Sequence, residues 1–194
     1  MLLFLLSIYL SGEEKILTSV SYLPLLCSEN HPSGAFDGEY FLVVWDERNG
    51  KIRGVRIDSY GNPADTIITI VRGKHPFLIF DGESYFLVWQ RKEDECTHIY
   101  GARLSREGKI IDSIIPVCIL YESAYPKVAY GNGKYLIVWE DFRHENPDIY
   151  GAILDKESNI IEEIPICVEG HTQYSPFVSF GKNEFMVGVG GFSQ

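Results

Sequence analysis

Residues 126–143 read Pro-Lys-Val-Ala-Tyr-Gly-Asn-Gly-Lys-Tyr-Leu-Ile-Val-Trp-Glu-Asp-Phe-Arg, and a polar loop then leads to Asp-Ile-Tyr-Gly at residues 148–151. The same pattern occurs twice before this stretch and begins again after it. Four prolines mark the starts of the copies, 44, 50 and 50 residues apart: Pro32, Pro76, Pro126 and Pro176. A period of this length indicates a fold built from stacked copies of one unit.

Large residues stand at fixed positions in each copy. One aromatic residue lies four residues after the proline and a second lies nine residues after it. Thirteen residues after the first three prolines stand Trp45, Trp89 and Trp139, whereas the fourth copy has Val189 there. After loops of different length, a glycine restores the register of the first three copies, at Gly54, Gly101 and Gly151.

Each complete copy contains four short β-prone runs, separated by turn residues such as those at 81–82 and 131–133. The second run is apolar throughout, which is typical of a strand covered on both faces, and the third alternates. No long apolar stripe has the helical period, so we predict almost no helix. Four strands in roughly 40–50 residues is the spacing of a propeller blade. The predicted fold is all-β: a β-propeller of about four four-stranded blades with the last blade incomplete, and with tryptophan filling the space between blades.

We predict a single propeller domain over residues 15–194, with repeat units at 31–74, 75–124, 125–173 and 174–194. Residues 15–27 match the closing segment of a unit and are predicted to complete the last blade as its closing strand. The fourth copy supplies its first two strands only. The chain is therefore a fragment of a longer propeller, a partner of another copy, or an open arc, and we expect further blades or self-association.

Residues 1–14 are apolar at first and end in small and acidic residues. This order resembles the apolar part of a secretory signal, although the basic start is missing. The run is shorter than the roughly 20 residues that span a bilayer. A buried strand is the alternative.

The third copy carries the most complete motif, Trp-Glu-Asp-Phe-Arg at 139–143 followed by Asp-Ile-Tyr-Gly at 148–151. It resembles a propeller repeat of archaeal and bacterial surface proteins, and it is similar to the repeats of TolB-like periplasmic propellers. The first copy keeps only the first half of the motif, and the second lacks the acidic pair. The resemblance implies a propeller in a secreted, cell-surface or periplasmic protein, and it implies no particular ligand.

Composition limits the partners. The formal net charge is −10, which argues against nucleic acid and against anionic membranes, since phosphate binding needs clustered cations. A protein or carbohydrate ligand fits better. The four cysteines are too few for a disulfide-built scaffold. Cys27, Cys118 and Cys167 occupy equivalent positions in the closing segments of the units, where we expect core residues, and Cys96 is predicted to be exposed.

Carboxylates after the tryptophan could perform acid–base chemistry, as in glycosidases. Because they recur in the first and third copies, we interpret Asp46, Glu47, Glu140 and Asp141 as turn-stabilising partners of Arg48 and Arg143. Asp148 is predicted to accept backbone hydrogen bonds in its turn. His31 and His75 share the position before the repeat proline and are predicted to line one rim. No nucleophile elbow, phosphate loop or metal-ligand spacing occurs, so we assign no catalytic, cofactor-binding or metal-binding residue.

Three functions remain open at this stage. The first is a non-catalytic β-propeller module of a secreted or surface protein, which binds a ligand or partner through its blade loops or serves as a scaffold. The second is a remnant or part of a propeller glycosidase or lyase, which requires a carboxylate cluster that is not repeated. The third is a purely structural spacer in a repeat array.

Overall fold

The computed structural model describes residues 3–5, 21–23, 29–144 and 146–191, with side chains described from residue 30 onward. Within these residues the chain forms β-strands and no helix, which confirms the all-β prediction. In the same part of the chain, no helix offers the length and apolarity needed to cross a bilayer.

The strands form three four-stranded sheets and two pairs. The first sheet contains β3 (Glu29–Phe36), β4 (Phe41–Glu47), β5 (Lys51–Ile57) and β6 (Ile68–Arg72). The second contains β7 (Lys74–Phe80), β8 (Tyr85–Glu93), β9 (Cys96–Leu104) and β10 (Ile115–Cys118). The third contains β11 (Ser123–Gly131), β12 (Lys134–Asp141), β13 (Asp148–Asp155) and β14 (Ile160–Cys167). A fourth sheet pairs β15 (Gln173–Gly181) with β16 (Glu184–Gly191).

Each sheet is an antiparallel meander in chain order, as expected for a propeller blade. The fourth has two strands, so the prediction of an incomplete last blade is confirmed for the described residues. At the N-terminal end, β1 (Leu3–Leu5) pairs with β2 (Ser21–Leu23). The rest of the 15–27 segment, and most of the 1–14 segment, lie outside the described residues. The closing-strand and signal assignments therefore stay predictions.

The first strands of the sheets lie side by side, because β3 contacts β7, β7 contacts β11, and β11 contacts β15. These strands therefore form the inner wall of the arc. In an antiparallel meander, the start of the first strand, the turn between the second and third strands and the end of the fourth strand share one edge. We call this edge of the blades the entry face. The opposite face carries the remaining turns, including residues 58–67 and 155–159.

The hydrophobic core lies between blades. Trp89 packs in a cluster that joins residues of the first and second blades, such as Leu42 and Leu87. Trp139 does the same between the second and third blades, with Phe86 and Ile137 among its neighbours. Both indoles are fully buried. Trp89 and Trp139 thus fill the interblade space as predicted, whereas the described neighbours of Trp45 (Val43, Val55 and Ile57) belong to its own blade. Burying an aromatic side chain removes roughly 150–250 Å² from water.

Tyrosine hydroxyls also join neighbouring blades. Tyr135 of the third blade hydrogen-bonds to the Asp81 carboxylate, which caps the first turn of the second blade. One blade earlier, the Tyr85 hydroxyl donates to the Tyr40 carbonyl oxygen at 3.2 Å. The third blade has Gly131 at the position of Asp81, and the fourth accordingly has Phe185 in place of tyrosine. A tyrosine hydroxyl is therefore present in the second and third blades, where the first turn of the preceding blade offers an oxygen that accepts its hydrogen bond.

Candidate functional site

A repeated backbone distortion defines the entry face. The residue before each repeat proline has a positive φ, at His31 (49°), His75 (50°), Tyr125 (55°) and Ser175 (50°). At each of these positions the register between the first and second strands shifts. Such a conformation costs a non-glycine residue roughly 1–2 kcal/mol, so contacts elsewhere must stabilise it. A β-bulge of this kind redirects both the side chain and the amide at the rim.

The redirected amides bind the preceding blade. In each case the acceptor is a side-chain oxygen of the residue that follows the repeat tryptophan. The three bonds are His75 N to Asp46 Oδ1 at 3.2 Å, Tyr125 N to Gln90 Oε1 at 2.8 Å, and Ser175 N to Glu140 Oε1 at 2.7 Å. One repeated hydrogen bond therefore fastens the bulges at His75, Tyr125 and Ser175 to the blade before each of them.

This finding corrects the predicted role of the acidic residues. Asp141 does pair with Arg143, at 2.7 Å, as predicted. Asp46 and Glu140 are instead acceptors for the next blade, and Glu47 pairs with Arg53 at 3.1 Å rather than with Arg48. The prediction failed because the true partners lie 29 and 35 residues away in sequence.

The bulge side chains form a row across the entry face, which we call the aromatic row: His31, His75 and Tyr125. The two imidazole centroids are 3.6 Å apart, and Tyr125 meets His75 edge-on at 4.6 Å. His31 Nδ1 lies 2.7 Å from Asp46 Oδ1. Tyr125 is 42% exposed, so a ligand can reach this row from solvent. The predicted rim position of the two histidines is thus observed, and Tyr125 extends the row.

Burial and neighbouring charges keep His75 neutral. Burial is the largest effect, and together with the charge of His31 it lowers the pKa of His75 to about 4. Lys74 and Lys127 act in the same direction, whereas Asp46 opposes it. At neutral pH the row therefore presents an uncharged imidazole beside a phenol. Such a surface suits stacking and hydrogen bonding to a neutral ligand group.

Glu140 and Lys127 form a second feature near the row. Burial raises the pKa of Glu140, although the Ser175 amide and Lys127 counteract it. Burial likewise lowers the pKa of Lys127, whose ammonium lies 4.8 Å from the centre of the Phe77 ring. Both groups are stabilised by contacts within the protein, and neither has the free, paired geometry of an acid–base couple.

The full motif of the third blade makes a closed network around the fully buried Asp141. Arg143 binds both carboxylate oxygens, at 2.7 and 2.8 Å, and Trp139 Nε1 donates to one of them at 3.0 Å. The guanidinium lies between the rings of Tyr121 and Tyr150, at 4.1 and 3.8 Å. Burial alone would raise the pKa of Asp141, but the Arg143 and Trp139 hydrogen bonds lower it overall. This network stabilises the blade. Both oxygens of Asp141 are engaged within the protein, so this carboxylate is not available to a substrate.

The other sequence candidates also have structural partners. The partner of the Asp148 carboxylate is a side chain, since His144 Nδ1 lies 2.6 Å from Asp148 Oδ2. Among the described residues, no backbone amide donates to this carboxylate, contrary to the prediction. Cys118 is buried beside Ser123, and burial raises the pKa of its thiol. Cys96 is exposed, as predicted, whereas Cys167, predicted to lie in the core like Cys118, is only half-buried. Among the described residues, no three His, Cys, Asp or Glu side chains converge as metal ligands.

Sequence reasoning missed Tyr125 and Gln90. A signal for both was available: every complete copy has an oxygen-bearing side chain directly after its tryptophan, whether carboxylate or amide. The amide of Gln90 makes the same bond as the carboxylates of Asp46 and Glu140. What these three side chains share is therefore an oxygen that accepts a hydrogen bond, and not a negative charge.

Comparisons with known proteins identify the fold. No family model matches the chain, and no curated protein matches its sequence. Solved structures do match: the subtype N10 neuraminidase-like protein of A/little yellow-shouldered bat/Guatemala has a TM-score of 0.59 at 12% identity over 82% of this chain. The GH43 endo-arabinanase from Bacillus licheniformis has 0.56 at 12% over 82%, and the endo-arabinase from Bacteroides thetaiotaomicron has 0.57 at 13% over 89%.

These similarities confirm the predicted propeller fold. The chain spans 51% of the neuraminidase-like protein, 64% of the Bacillus enzyme and 75% of the Bacteroides enzyme. At identities of 12–13% the likeness is one of fold alone.

Proposed function

We propose that this chain is a non-catalytic β-propeller module of an exported protein, and that it binds its ligand on the entry face. The aromatic row carries the proposal. It is the place where bulges of successive blades project imidazole and phenol side chains to solvent from a rigid inner wall. Loops and bulges held by such a scaffold are common sites of binding.

The structural roles of the motif carboxylates support a binding function over a catalytic one. Asp46, Glu140 and Asp141 each accept hydrogen bonds that hold the blades or the motif together. A glycosidase needs two carboxyl groups facing one substrate bond, one as acid and one as base or nucleophile. In the described part of the chain, the charged partner of Glu140 is Lys127 and not a second carboxylate.

A carbohydrate is the ligand class we favour. A row of exposed imidazole and phenol rings offers both ring faces for stacking and hydrogen-bonding groups, which together suit sugar rings. Two of the solved structures with this fold are named as an endo-arabinanase and an endo-arabinase. Their substrates are not carried over to this chain, because the similarity is limited to the fold.

The test compares Tyr125→Ala with Tyr60→Ala. Tyr60 is 75% exposed on the opposite face and so controls for the loss of an exposed phenol. Both variants and the parent are assayed by affinity electrophoresis against a panel of neutral and acidic polysaccharides. We expect retardation by at least one polysaccharide, lost in Tyr125→Ala and kept in Tyr60→Ala. Equal behaviour of the two variants, or no retardation by any polysaccharide, contradicts the proposal.

The glycosidase alternative has one observation in its favour, the raised pKa of the buried Glu140 carboxyl, which a general acid requires. Reducing-end release from the same panel tests it. Turnover by the parent that disappears in Glu140→Gln, with the fold retained, would replace the binding proposal by the enzymatic one.

A further inference from the structure

A cationic groove lies on the entry face between the first and second blades. Its volume is about 370 Å³, and four of its lining residues are basic: Arg72, Lys74, Arg91 and Lys92. We call these four residues the cationic groove. The whole chain has 17 basic and 27 acidic residues, so this concentration of positive charge runs against the composition.

These charges are poorly neutralised within the protein. Arg91 pairs with Glu93 and lies 4.1 Å from the centre of the Tyr100 ring. Among the described residues, no carboxylate forms an ion pair with Arg72, Lys74 or Lys92. Like charges held together in a cleft repel one another, and they focus a positive potential that attracts anions. An unpaired basic cluster in an acidic protein therefore indicates a ligand that supplies the missing negative charge.

The second and third blades differ at the residue two positions after the tryptophan. There, Trp139 Nε1 and Arg143 hold the carboxylate of Asp141, two residues after the tryptophan. In the second blade, the equivalent position is occupied by Arg91. The buried Trp89 Nε1 has no hydrogen-bond partner in the described structure. The position two residues after the tryptophan is thus an internal carboxylate in the third blade and a cation at the wall of an open groove in the second. Trp45 Nε1 in the first blade also lacks a partner among the described residues, so the residue at this position, and not the indole nitrogen, marks the second blade.

Gly73 lets the backbone at the groove pack directly on Trp89. A Cβ atom on Gly73 would lie 2.3 Å from Trp89 Cδ1 and 2.8 Å from the Gln90 carbonyl oxygen. The indole edge therefore lies against the Gly73 backbone, which lines the groove. Because the indole is directly beneath the site, its fluorescence can report on an occupant.

We propose that the cationic groove binds a multivalent anion, one that carries two or more carboxylate, sulfate or phosphate groups on a body of about mono- to disaccharide size. The volume suits such a ligand, since small-molecule sites measure roughly 300–1,000 Å³. Arginine and lysine together provide both forked and point-charge contacts to oxyanions.

The groove adjoins the aromatic row. Gln90 lines the groove and accepts the Tyr125 amide, and Lys74 precedes His75 directly in β7. A ligand in the groove thus continues onto the row, and in this respect the inference deepens the proposed function and rests on it. The ligand class becomes an anionic one, with its charged groups in the groove and its neutral part on the row.

The experiment titrates the full chain with three probes: trigalacturonate, a sulfated heparin disaccharide and tripolyphosphate. Binding is followed by tryptophan fluorescence and by calorimetry at two salt concentrations. The variants are Arg72→Glu combined with Lys92→Glu, and Lys74→Glu alone. Lys156→Glu is the charge-matched control for Lys74→Glu, because Lys156 is exposed on the opposite face and each of these substitutions replaces one cation by one anion. Urea midpoints verify that each variant is folded.

We expect at least one probe to bind, with an affinity that falls as salt rises. The double variant should weaken that binding at least about tenfold, and Lys156→Glu by less than about twofold. The probe that binds tightest identifies carboxylate, sulfate or phosphate as the recognised group. Equal losses in groove and control variants, or no binding of any probe, overturn the inference.

Tyr125→Ala separates this inference from the proposed function. If trigalacturonate binding is lost in Tyr125→Ala but unchanged in the groove variants, the row binds ligand and the groove assignment is wrong. If none of these variants affects binding, both proposals are wrong.

Discussion

Replacing Glu140 by alanine tests the repeated interblade hydrogen bond at its shortest example. Glu140 is buried, and its Oε1 atom lies 2.7 Å from the amide nitrogen of Ser175 in the next blade. Alanine removes the acceptor and leaves that amide unpaired at a residue whose φ is 50°. A hydrogen bond to a charged group contributes about 1.5–3 kcal/mol. Because Ser175 is exposed, water can replace part of the lost bond. We therefore expect Glu140→Ala to lower the free energy of unfolding by about 1–3 kcal/mol.

Glutamine at the same position is the matched control. In the second blade Gln90 makes the equivalent bond at 2.8 Å, so an amide oxygen is sufficient. Glu140→Gln should cost less than about 1 kcal/mol, since the acceptor remains. Urea denaturation followed by circular dichroism at pH 7 gives both values, with the slope of the transition checked for constancy. Equal midpoints for the two variants would refute the reasoning, because they would show that the acceptor oxygen contributes nothing.

Three further outcomes follow from the described contacts. Trp139→Ala should destabilise the protein by about 3–5 kcal/mol, measured by urea denaturation, because the indole fills the interface of two blades; a cost below about 1 kcal/mol contradicts interblade packing. His75 has a folded pKa of about 4, below its ordinary value of 6.5, so the unfolded chain binds the extra proton and stability falls as the pH drops from 6.5 to 4. His75→Gln should flatten that part of the stability curve by about 1–2 kcal/mol after allowance for solvent, and an unchanged slope speaks against a neutral His75. A thiol reagent at pH 8 should label Cys96 quickly and Cys118 only on unfolding, because Cys118 is buried and the pKa of its thiol is raised; rapid mass-spectrometric labelling of Cys118 is the opposing result.

The blade arrangement was predictable because its determinants are local. The apolar run ending in tryptophan and the glycine that follows lie opposite each other, with Val138 paired to Gly151. A Cβ atom on Gly151 would lie 2.7 Å from Ile166 Cδ1 and 2.9 Å from the Ile137 carbonyl oxygen. The repeat therefore retains glycine where the blade is most closely packed, and this constraint appears in the sequence as a fixed position.

The site was less predictable because its contacts cross from one blade to the next. A carboxylate beside an arginine suggested a local ion pair, which is right for Asp141 and wrong for Asp46 and Glu140. Nothing local shows that a residue before proline adopts a positive φ, since such residues favour extended conformations. The cationic groove likewise combines residues from two blades, and its charges lie in two segments that only the fold brings together, at 72–74 and 91–92.

The central claim is that successive sheets contact one another through specific side chains, and a double-mutant cycle on Asp81 and Tyr135 tests it most directly. These residues belong to the second and third blades and are joined by one hydrogen bond. Urea denaturation of Asp81→Ala, Tyr135→Phe and the combined variant isolates their coupling, because effects on the Asp81 turn itself cancel in the cycle. We predict a coupling free energy of about 1–3 kcal/mol. A coupling below about 0.3 kcal/mol would contradict the interblade contact on which the account depends.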